Sequence, residues 1–129
     1  MSKLAANAPC PCGSGKKAKA CCKPVLDGAP ASTPEALMRS RYTAWKVADV
    51  GHLAATTHPS SPHHTEDLGA LRAAARAMTL VGLEVLDRWA EGDVGRVSFV
   101  ARLADGQTME ERSRFIREHG RWYYVDAER

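Results

Sequence analysis

The residues best suited to chemistry in this 129-residue chain are four cysteines near its N-terminus. Cys10, Cys12, Cys21 and Cys22 lie in the run PCPCGSGKKAKACCKP, and the chain contains no other cysteine. Four thiolates gathered around a short loop give a complete tetrahedral ligand set for Zn²⁺ and leave no coordination position open for a substrate. The spacing therefore predicts one structural zinc ion rather than a catalytic one.

Disulfide bonds are the alternative use of these cysteines. Cys10 and Cys12 are too close in sequence for an unstrained bridge, and so are the adjacent Cys21 and Cys22. Crossed pairings stay open geometrically, but residues 1–9 lack the apolar stretch of a secretory signal, so we expect a cytoplasmic protein. In a reducing cytosol, clustered cysteines more often bind metal than form disulfides. Redox-active or unliganded thiols are a third alternative.

The string CPCGSGKKAKACC resembles the SEC-C motif, the zinc knuckle found at the C-terminus of the SecA translocation ATPase and on many otherwise unrelated proteins. The matching positions include all four cysteines, both glycines and the lysines at 16, 17 and 19. Ala18 is a departure, because the motif usually has an aromatic residue there. The resemblance supports the assignment of the cysteines as zinc ligands.

The knuckle is also basic, which bears on its partners. Residues 1–24 contain five lysines and no acidic side chain. Lys16, Lys17 and Lys19 are candidates for contact with a protein partner, by analogy with SecA in export, chaperone or ribosome-associated machinery. Nucleic-acid binding would favour aromatic residues among the basic ones for base stacking. None occurs between residues 1 and 41, so we do not expect a nucleic-acid partner.

Composition places the rest of the chain among ordinary globular domains. Hydrophobic residues make up 44% and charged residues 26%, as in typical folded proteins. No apolar run approaches the roughly eighteen residues of a membrane span. We divide the chain into a knuckle over residues 1–24, a Pro- and Gly-rich linker over 25–34, and a domain over 35–129.

Helix signals fill the first half of that domain. Thr33 followed by Pro34 is a strong helix start, and apolar residues recur at three- and four-residue spacing through ALMRSRYTAWKVAD. A turn at 49–51 then leads to a second, short helix around residues 52–57. Thr65 introduces a third helix, DLGALRAAARAM.

Strand signals fill the second half. Four segments follow Met78, separated by turn signals at 91–93, 104–106 and 119–120. In the second segment, Val97, Phe99 and Ala101 alternate with residues of the opposite face. The third segment mixes polar and apolar groups on both faces, so its register stays open. Helices followed by antiparallel strands predict an α+β fold, with three helices packed on one face of a curved sheet.

Beyond the knuckle, the strings PEALMRSRYTAW, GRVSFVARL and EERSRFIREHGRWYYVDA closely resemble the bacterial YchJ family. In that family an SEC-C knuckle precedes a domain of the nuclear transport factor 2 superfamily. The resemblance implies a cone-shaped α+β domain whose bent sheet wraps around a helix and can enclose a pocket. It implies no activity, because this fold serves enzymes, binders and dimerisation modules alike. The open sheet face is a candidate surface for a homodimer.

The expected cone contains a candidate pocket. We expect Arg39 or Arg41 of the first long helix to lie near Glu111 or Ser113 of the third strand. Aromatic residues should close the space around them. A buried charge must be paired or open to water, so this site is either a closed ion pair or the floor of a pocket. The candidate pocket residues are Arg39, Arg41, Tyr42, Glu111, Ser113 and Phe115.

Two functions from different classes follow from these observations. The first is a non-enzymatic adaptor whose zinc knuckle docks on a protein partner. The second is a cone that binds or converts a small molecule, with the knuckle as a structural or recruiting appendage. Acid–base catalysis needs a positioned titrating group, and the candidates His58 and Glu111 have no partner visible in the sequence. We therefore favour the adaptor over an enzyme.

Overall fold

The computed structural model describes residues 4–64 and 67–128. A 3₁₀ turn over Ala18–Ala20 and helix α1 over Cys22–Leu26 belong to the cysteine-rich segment. The other helices are α2 (Pro34–Val47), α3 (Val50–Ala55) and α4 (Leu68–Ala77). The strands are β1 (Leu80–Glu91), β2 (Val94–Leu103), β3 (Thr108–Glu118) and β4 (Arg121–Glu128). The strands form one antiparallel sheet in the order β1-β2-β3-β4.

The predicted α+β class is confirmed, with α2, α3 and α4 preceding a four-stranded antiparallel sheet. The predicted start of the third helix at Thr65 lies outside the described residues. Asp67 caps α4, because its side chain accepts a hydrogen bond from the Ala70 N–H at 2.9 Å. Helix α1 extends to Leu26, inside the segment expected to be a linker, and Leu26 is buried in the core.

Helix α2 begins where the sequence predicts and is the central helix of the fold. The Thr33 hydroxyl accepts a hydrogen bond from the Ala36 N–H at 3.0 Å, and Pro34 occupies the first turn. Ala48 ends the helix in the left-handed conformation, with φ of 58°. The next helix starts earlier than expected, because Asp49 caps it by accepting from the His52 N–H at 3.2 Å.

The inner face of the sheet packs against α2. Val97 and Ala101 are buried and Phe99 is partly buried, as their alternation predicts. On β3, whose register the sequence left open, Ser113 and Phe115 are buried. Val97 and Phe115 meet α2 in a core cluster with Ala31, Leu37, Met38 and Trp122. Burial of this one stripe therefore fixes the register of β3.

The segment after α3 pairs with the edge of the sheet at β4. The Tyr124 N–H donates to the Thr56 carbonyl at 2.8 Å, and the His58 N–H donates to the Tyr124 carbonyl at 2.9 Å. Thr57 and Tyr124 form an isolated parallel bridge. This short pairing covers part of an otherwise open sheet edge and holds the end of α3 against β4.

The outer face of the sheet carries charged pairs beside exposed apolar residues such as Trp89 and Val94. Arg114 contacts Asp126 at 2.6 Å, and Arg102 contacts Glu84 at 3.0 Å, in pairs that join neighbouring strands. The expectation of a homodimer through the sheet stays a prediction, and such a dimer would have to accommodate these pairs. No helix within the described ranges is long and apolar enough to cross a membrane.

The close approach of α2 to β2 gives a test of this packing. A Cβ added at Gly95 would lie 2.3 Å from Pro34 Cγ, whereas one added at Gly82 would lie 3.7 Å from the nearest atom of Arg102. We expect Gly95→Ala to lower the free energy of unfolding by about 1–3 kcal/mol, because the first turn of α2 must move. The control Gly82→Ala should leave it nearly unchanged in urea denaturation. Equal stability of the two variants would contradict this packing.

Candidate metal centre and adjoining cavity

The cysteine-rich loop is folded back by its own backbone. The Cys10 N–H donates to the Lys16 carbonyl at 2.8 Å, and the Gly13 N–H donates to the Cys10 carbonyl at 3.1 Å. Gly13 and Gly15 have φ of 77° and 86°, a conformation that glycine adopts without steric cost. The sequence CPCGSG thus makes the tight reversal that brings the first cysteine pair towards the second.

The four thiols form one compact cluster. All four Sγ atoms lie within 4.8 Å of one another. The Sγ of Cys21 is 3.5 Å from that of Cys12 and 3.9 Å from that of Cys22, and none of the cysteines forms a disulfide. A tetrahedral site with Zn–S bonds of about 2.3 Å separates its sulfurs by about 3.8 Å. The cluster therefore has the dimensions needed to hold a metal ion.

The proximity of the thiols strongly perturbs their pKa values. Contact with Cys22 lowers the pKa of Cys12 to about 4, and the same contact raises the pKa of Cys22. Burial raises the pKa of Cys21. One thiolate is thus stabilised by its neighbours, while further negative charge in the cluster is disfavoured. A bound cation would remove this penalty and allow all four sulfurs to ionise.

Side chains outside the cysteine set contact the sulfurs. The Ser14 hydroxyl lies 3.2 Å from Cys21 Sγ, and the Thr43 hydroxyl donates to Cys22 Sγ at 3.4 Å. Arg39 Nη1 donates to the Cys12 carbonyl at 3.1 Å and lies 3.8 Å from Cys12 Sγ. Donors of this kind orient metal-bound thiolates and offset their charge.

The position of Arg39 corrects the predicted pocket. Its guanidinium lies at the cysteine cluster instead of in the cone, and its Nε donates to Glu35 Oε2 at 2.9 Å. Glu35 also contacts Arg88 Nε of β1 at 3.1 Å. Arg39 and Arg41 are two residues apart on α2 and so point about 200° apart around its axis. Only one of them can reach the inside of the cone.

The knuckle shares a hydrophobic core with the domain that follows it. Three of the four cysteines are buried in a cluster that includes residues of α1, α2, α3, β1 and β2. Members of this cluster are Cys10, Cys12, Cys22, Leu26, Tyr42, Ala44, Leu53, Leu80 and Ala101. The cysteine cluster is therefore packed against α2 and the sheet and is part of the folded domain.

The predicted contact lysines lie on the outside of the knuckle. Lys16, Lys17 and Lys19 are exposed, whereas Ala18 between them is only 1% exposed. The Ala18 N–H donates to the Ala8 carbonyl at 2.9 Å. The position at which the motif usually has an aromatic residue thus points inward here, although its side chain is a single methyl group.

A large open cavity lies on the inner side of the sheet, with a volume of about 1380 Å³. Helices α2, α3 and α4 contribute its other walls. Of the predicted pocket residues, Arg41, Tyr42, Glu111, Ser113 and Phe115 line this cavity. The aromatic residues Trp45 and Phe99 line it as well. His58 lies elsewhere, with its Nε2 at 3.1 Å from Glu118 Oε2.

Arg41 and Glu111 face the same cavity without forming an ion pair within the part of the chain that the structure describes. Glu111 Oε2 accepts a hydrogen bond from the Ser113 hydroxyl at 2.7 Å. Burial lowers the pKa of Arg41 to about 10, against the opposing effects of Tyr124 and Glu111. Arg41 therefore stays charged at neutral pH. Because it lines the cavity without an ion pair to Glu111 among the described residues, the site is the floor of a cavity rather than a closed pair.

Sequence reasoning missed the polar residues that support both sites. Thr43 lies one helical turn after Arg39 on α2, and this i, i+4 spacing indicates that the two share a face, but not that this face meets the cysteines. Thr56 and Thr57, which hold Arg41, carry no such signal, because they reach it only when α3 packs against α2.

Comparisons with known proteins agree with this architecture. A model of the SEC-C motif matches residues 7–24, and a model described as YchJ, middle NTF2-like domain, matches residues 33–127. The fold and the cysteine centre thus define an SEC-C knuckle followed by an NTF2-like domain. The second match covers most of the chain. The chain belongs to the YchJ family.

Relatives and solved structures resemble the chain over nearly its whole length. A UPF0225 protein of Chromobacterium violaceum is 46% identical over 98% of this chain and 96% of its own length. One from Deinococcus radiodurans is 44% identical over 92% and 88%. The solution structure of a SEC-C motif containing protein from Rhodopseudomonas palustris has a TM-score of 0.85 at 37% identity, covering 94% of this chain and 98% of that one.

The crystal structure of a SEC-C motif containing protein from Psychrobacter arcticus is also similar. Its TM-score is 0.81 at 27% identity, with 94% of this chain and 82% of that chain covered. The knuckle and the cone thus occur together in this arrangement in other bacteria, which supports treating them as one structural unit.

The cysteine cluster leads to a prediction of metal content. We expect elemental analysis of the protein expressed in a reducing cytosol to give one zinc per chain, because four clustered thiolates match a tetrahedral soft-ligand site. Cys21→Ser removes the half-buried ligand and should lower the zinc content far below one. Ser14→Ala, which keeps all four sulfurs, is the control. Zinc-free protein with four titratable thiols would contradict the assignment.

Contact between α2 and the cluster leads to a second prediction. Arg39→Gln should weaken zinc affinity by about tenfold or more, because it removes the cation beside Cys12. Competition with a chromogenic chelator would measure this change. Arg72→Gln, at an exposed position of α4, is the matched control and should retain the wild-type affinity. Unchanged affinity in Arg39→Gln would show that the cluster does not depend on α2.

Proposed function

We propose that this protein is a zinc-binding adaptor whose knuckle docks on an acidic surface of a protein partner. The metal would be structural, because all four protein ligands are cysteines and no coordination position is left for a substrate. The sulfur donor set favours zinc over hard cations such as Mg²⁺ and Ca²⁺, which prefer oxygen. Zinc would hold the loop in the shape that a partner recognises.

The observation that carries this proposal is the arrangement of the exposed lysines. Lys16, Lys17 and Lys19 project from the loop between the cysteine pairs. Within the described ranges none of these three lysines forms an ion pair. Lys23, also in the knuckle, does form one, with Asp27 at 3.1 Å. Three such charges on a metal-held loop give a positive surface, which steers association with an acidic partner and adds specificity.

The mounting of the knuckle also supports a docking role. Contacts to Arg39 and Thr43 and the burial of three cysteines tie the loop to α2. A loop held in one geometry loses little conformational entropy on binding, which improves affinity for a given contact area. The charged residues therefore form a preorganised surface instead of a flexible basic tail.

Charge reversal tests the adaptor proposal. Proteins that cross-link to the wild-type chain in cells would be identified, and binding of the purified partner would then be measured. We expect Lys16→Glu/Lys17→Glu/Lys19→Glu to weaken that binding by at least about tenfold, since each lost charge pair is replaced by a repulsion. Lys46→Glu, an exposed lysine of α2, should bind as the wild type does.

Zinc dependence and salt dependence complete the test. Cys21→Ser should lose the same partner, because the loop shape depends on the metal, and raising the ionic strength should weaken wild-type binding. Retention of the partner by the triple charge reversal would contradict docking through the knuckle lysines. Retention by Cys21→Ser alone would contradict the need for zinc.

A further inference from the structure

The cavity of the cone has apolar walls that the protein leaves uncovered. Leu71, Ala74 and Ala77 of helix α4 line it together with Met78, which follows the helix, and Ala75 is the buried residue of α4. An amphipathic helix normally buries its apolar face against a core. Here that face borders an open space of about 1380 Å³, which exceeds the roughly 300–1,000 Å³ of ordinary ligand pockets.

Arg41 supplies a cationic group on one wall of this space. Its Nη1 donates to the Leu53 carbonyl at 3.1 Å, to Thr56 Oγ1 at 2.7 Å and to Thr57 Oγ1 at 3.1 Å. The guanidinium carbon lies 4.5 Å from the centre of the Tyr124 ring. These contacts fix the orientation of the guanidinium plane, and they use only Nη1 and the face that stacks on Tyr124.

The rest of the guanidinium is available to a ligand. Guanidinium has five N–H donors, and the hydrogen bonds that Arg41 makes to described residues all use Nη1. Nε and Nη2 of Arg41 therefore remain in contact with solvent. The Tyr42 hydroxyl differs, because it is buried and has no partner among the described residues. The Nε–Nη2 edge is the edge that receives a carboxylate through two parallel hydrogen bonds.

Tyr42 belongs to the same wall, but its hydroxyl is buried away from the cavity. Its side chain is 5% exposed and lines the cavity, and its hydroxyl has no hydrogen-bond partner among the described residues. A buried hydroxyl without a partner is costly. The hydroxyl is sealed from solvent, so Tyr42 offers a ligand in the cavity an apolar surface and not a hydrogen bond.

We propose that the cavity binds a small monocarboxylate with an apolar, aromatic-sized body, whose carboxylate is held by Arg41. The body of the ligand lies against the apolar face of α4 and the aromatic walls of the sheet. Glu111 limits the charge of the ligand, because a second negative group near its carboxylate would be repelled. This inference goes beyond the adaptor function and does not depend on it.

A matched pair of probes tests the proposal on the full-length, zinc-loaded protein. The probes are 1-naphthylacetate and the neutral 1-naphthylacetamide, which share the same ring system. Binding is followed by chemical-shift changes of backbone amides. We expect the acid to bind at least about tenfold more tightly than the amide, because only the acid forms charge-assisted hydrogen bonds with Arg41. The affected amides should include those of Trp45, Phe99 and Phe115.

Variants assign the preference to particular residues. Arg41→Gln should abolish the preference for the acid while the amide still binds. Glu111→Gln should raise the affinity for the acid severalfold and leave the amide unchanged, since a nearby negative charge is removed. The Glu111→Gln variant also keeps the proposal testable if Arg41→Gln fails to fold. Arg114→Gln, on the outer face of the sheet, should leave both affinities unchanged.

Three results would overturn the proposal. One is equal affinity of the acid and the amide for the wild-type protein. Another is a set of shifted amides that lies outside the cavity, which would indicate adventitious binding to another apolar surface. The third is the absence of shifts in cavity amides with either probe at millimolar concentration. Loss of partner binding in the knuckle variants would leave these ligand measurements unaffected, so the two proposals fail independently.

Discussion

The contact between the cysteine cluster and helix α2 is the constraint on which the rest of the structure depends. Thr43 donates to Cys22, Arg39 donates to Cys12, and three of the cysteines are buried with Tyr42 and Ala44 of the same helix. The opposite side of α2 packs on the sheet. One helix thus contributes side chains to both a sulfur-rich centre and an open cavity, and its position sets the geometry of both.

The separation of Arg39 from Arg41 shows how one short stretch of sequence serves two sites. Helical geometry requires residues two positions apart to diverge by about 200°, so one arginine meets the thiols and the other enters the cone. Each guanidinium then has a different environment. Arg39 lies beside sulfur and Glu35, whereas Arg41 is stacked on Tyr124 with part of its edge open.

Features set by local chemistry could be predicted from the sequence, and those set by packing could not. Cysteine spacing located the cluster, Thr33 and Pro34 located the start of α2, and alternation at Val97 identified the inner face of β2. The register of β3 depends on which side chains α2 covers, so its mixed pattern gave no answer. Arg39 was misplaced because the sequence does not reveal which face of α2 meets the knuckle.

The crowding of α2 also limits how this protein can change in evolution. Every side chain from residue 37 to residue 44 packs in the core, contacts the cysteine cluster or lines the cavity. Ser40 also forms a buried hydrogen bond with His52 at 2.9 Å. Exposed positions appear only at Lys46 and Val47. Few substitutions in these two helical turns would therefore be neutral. New binding specificity has to arise in the loops, in α4 and on the outer faces of the strands.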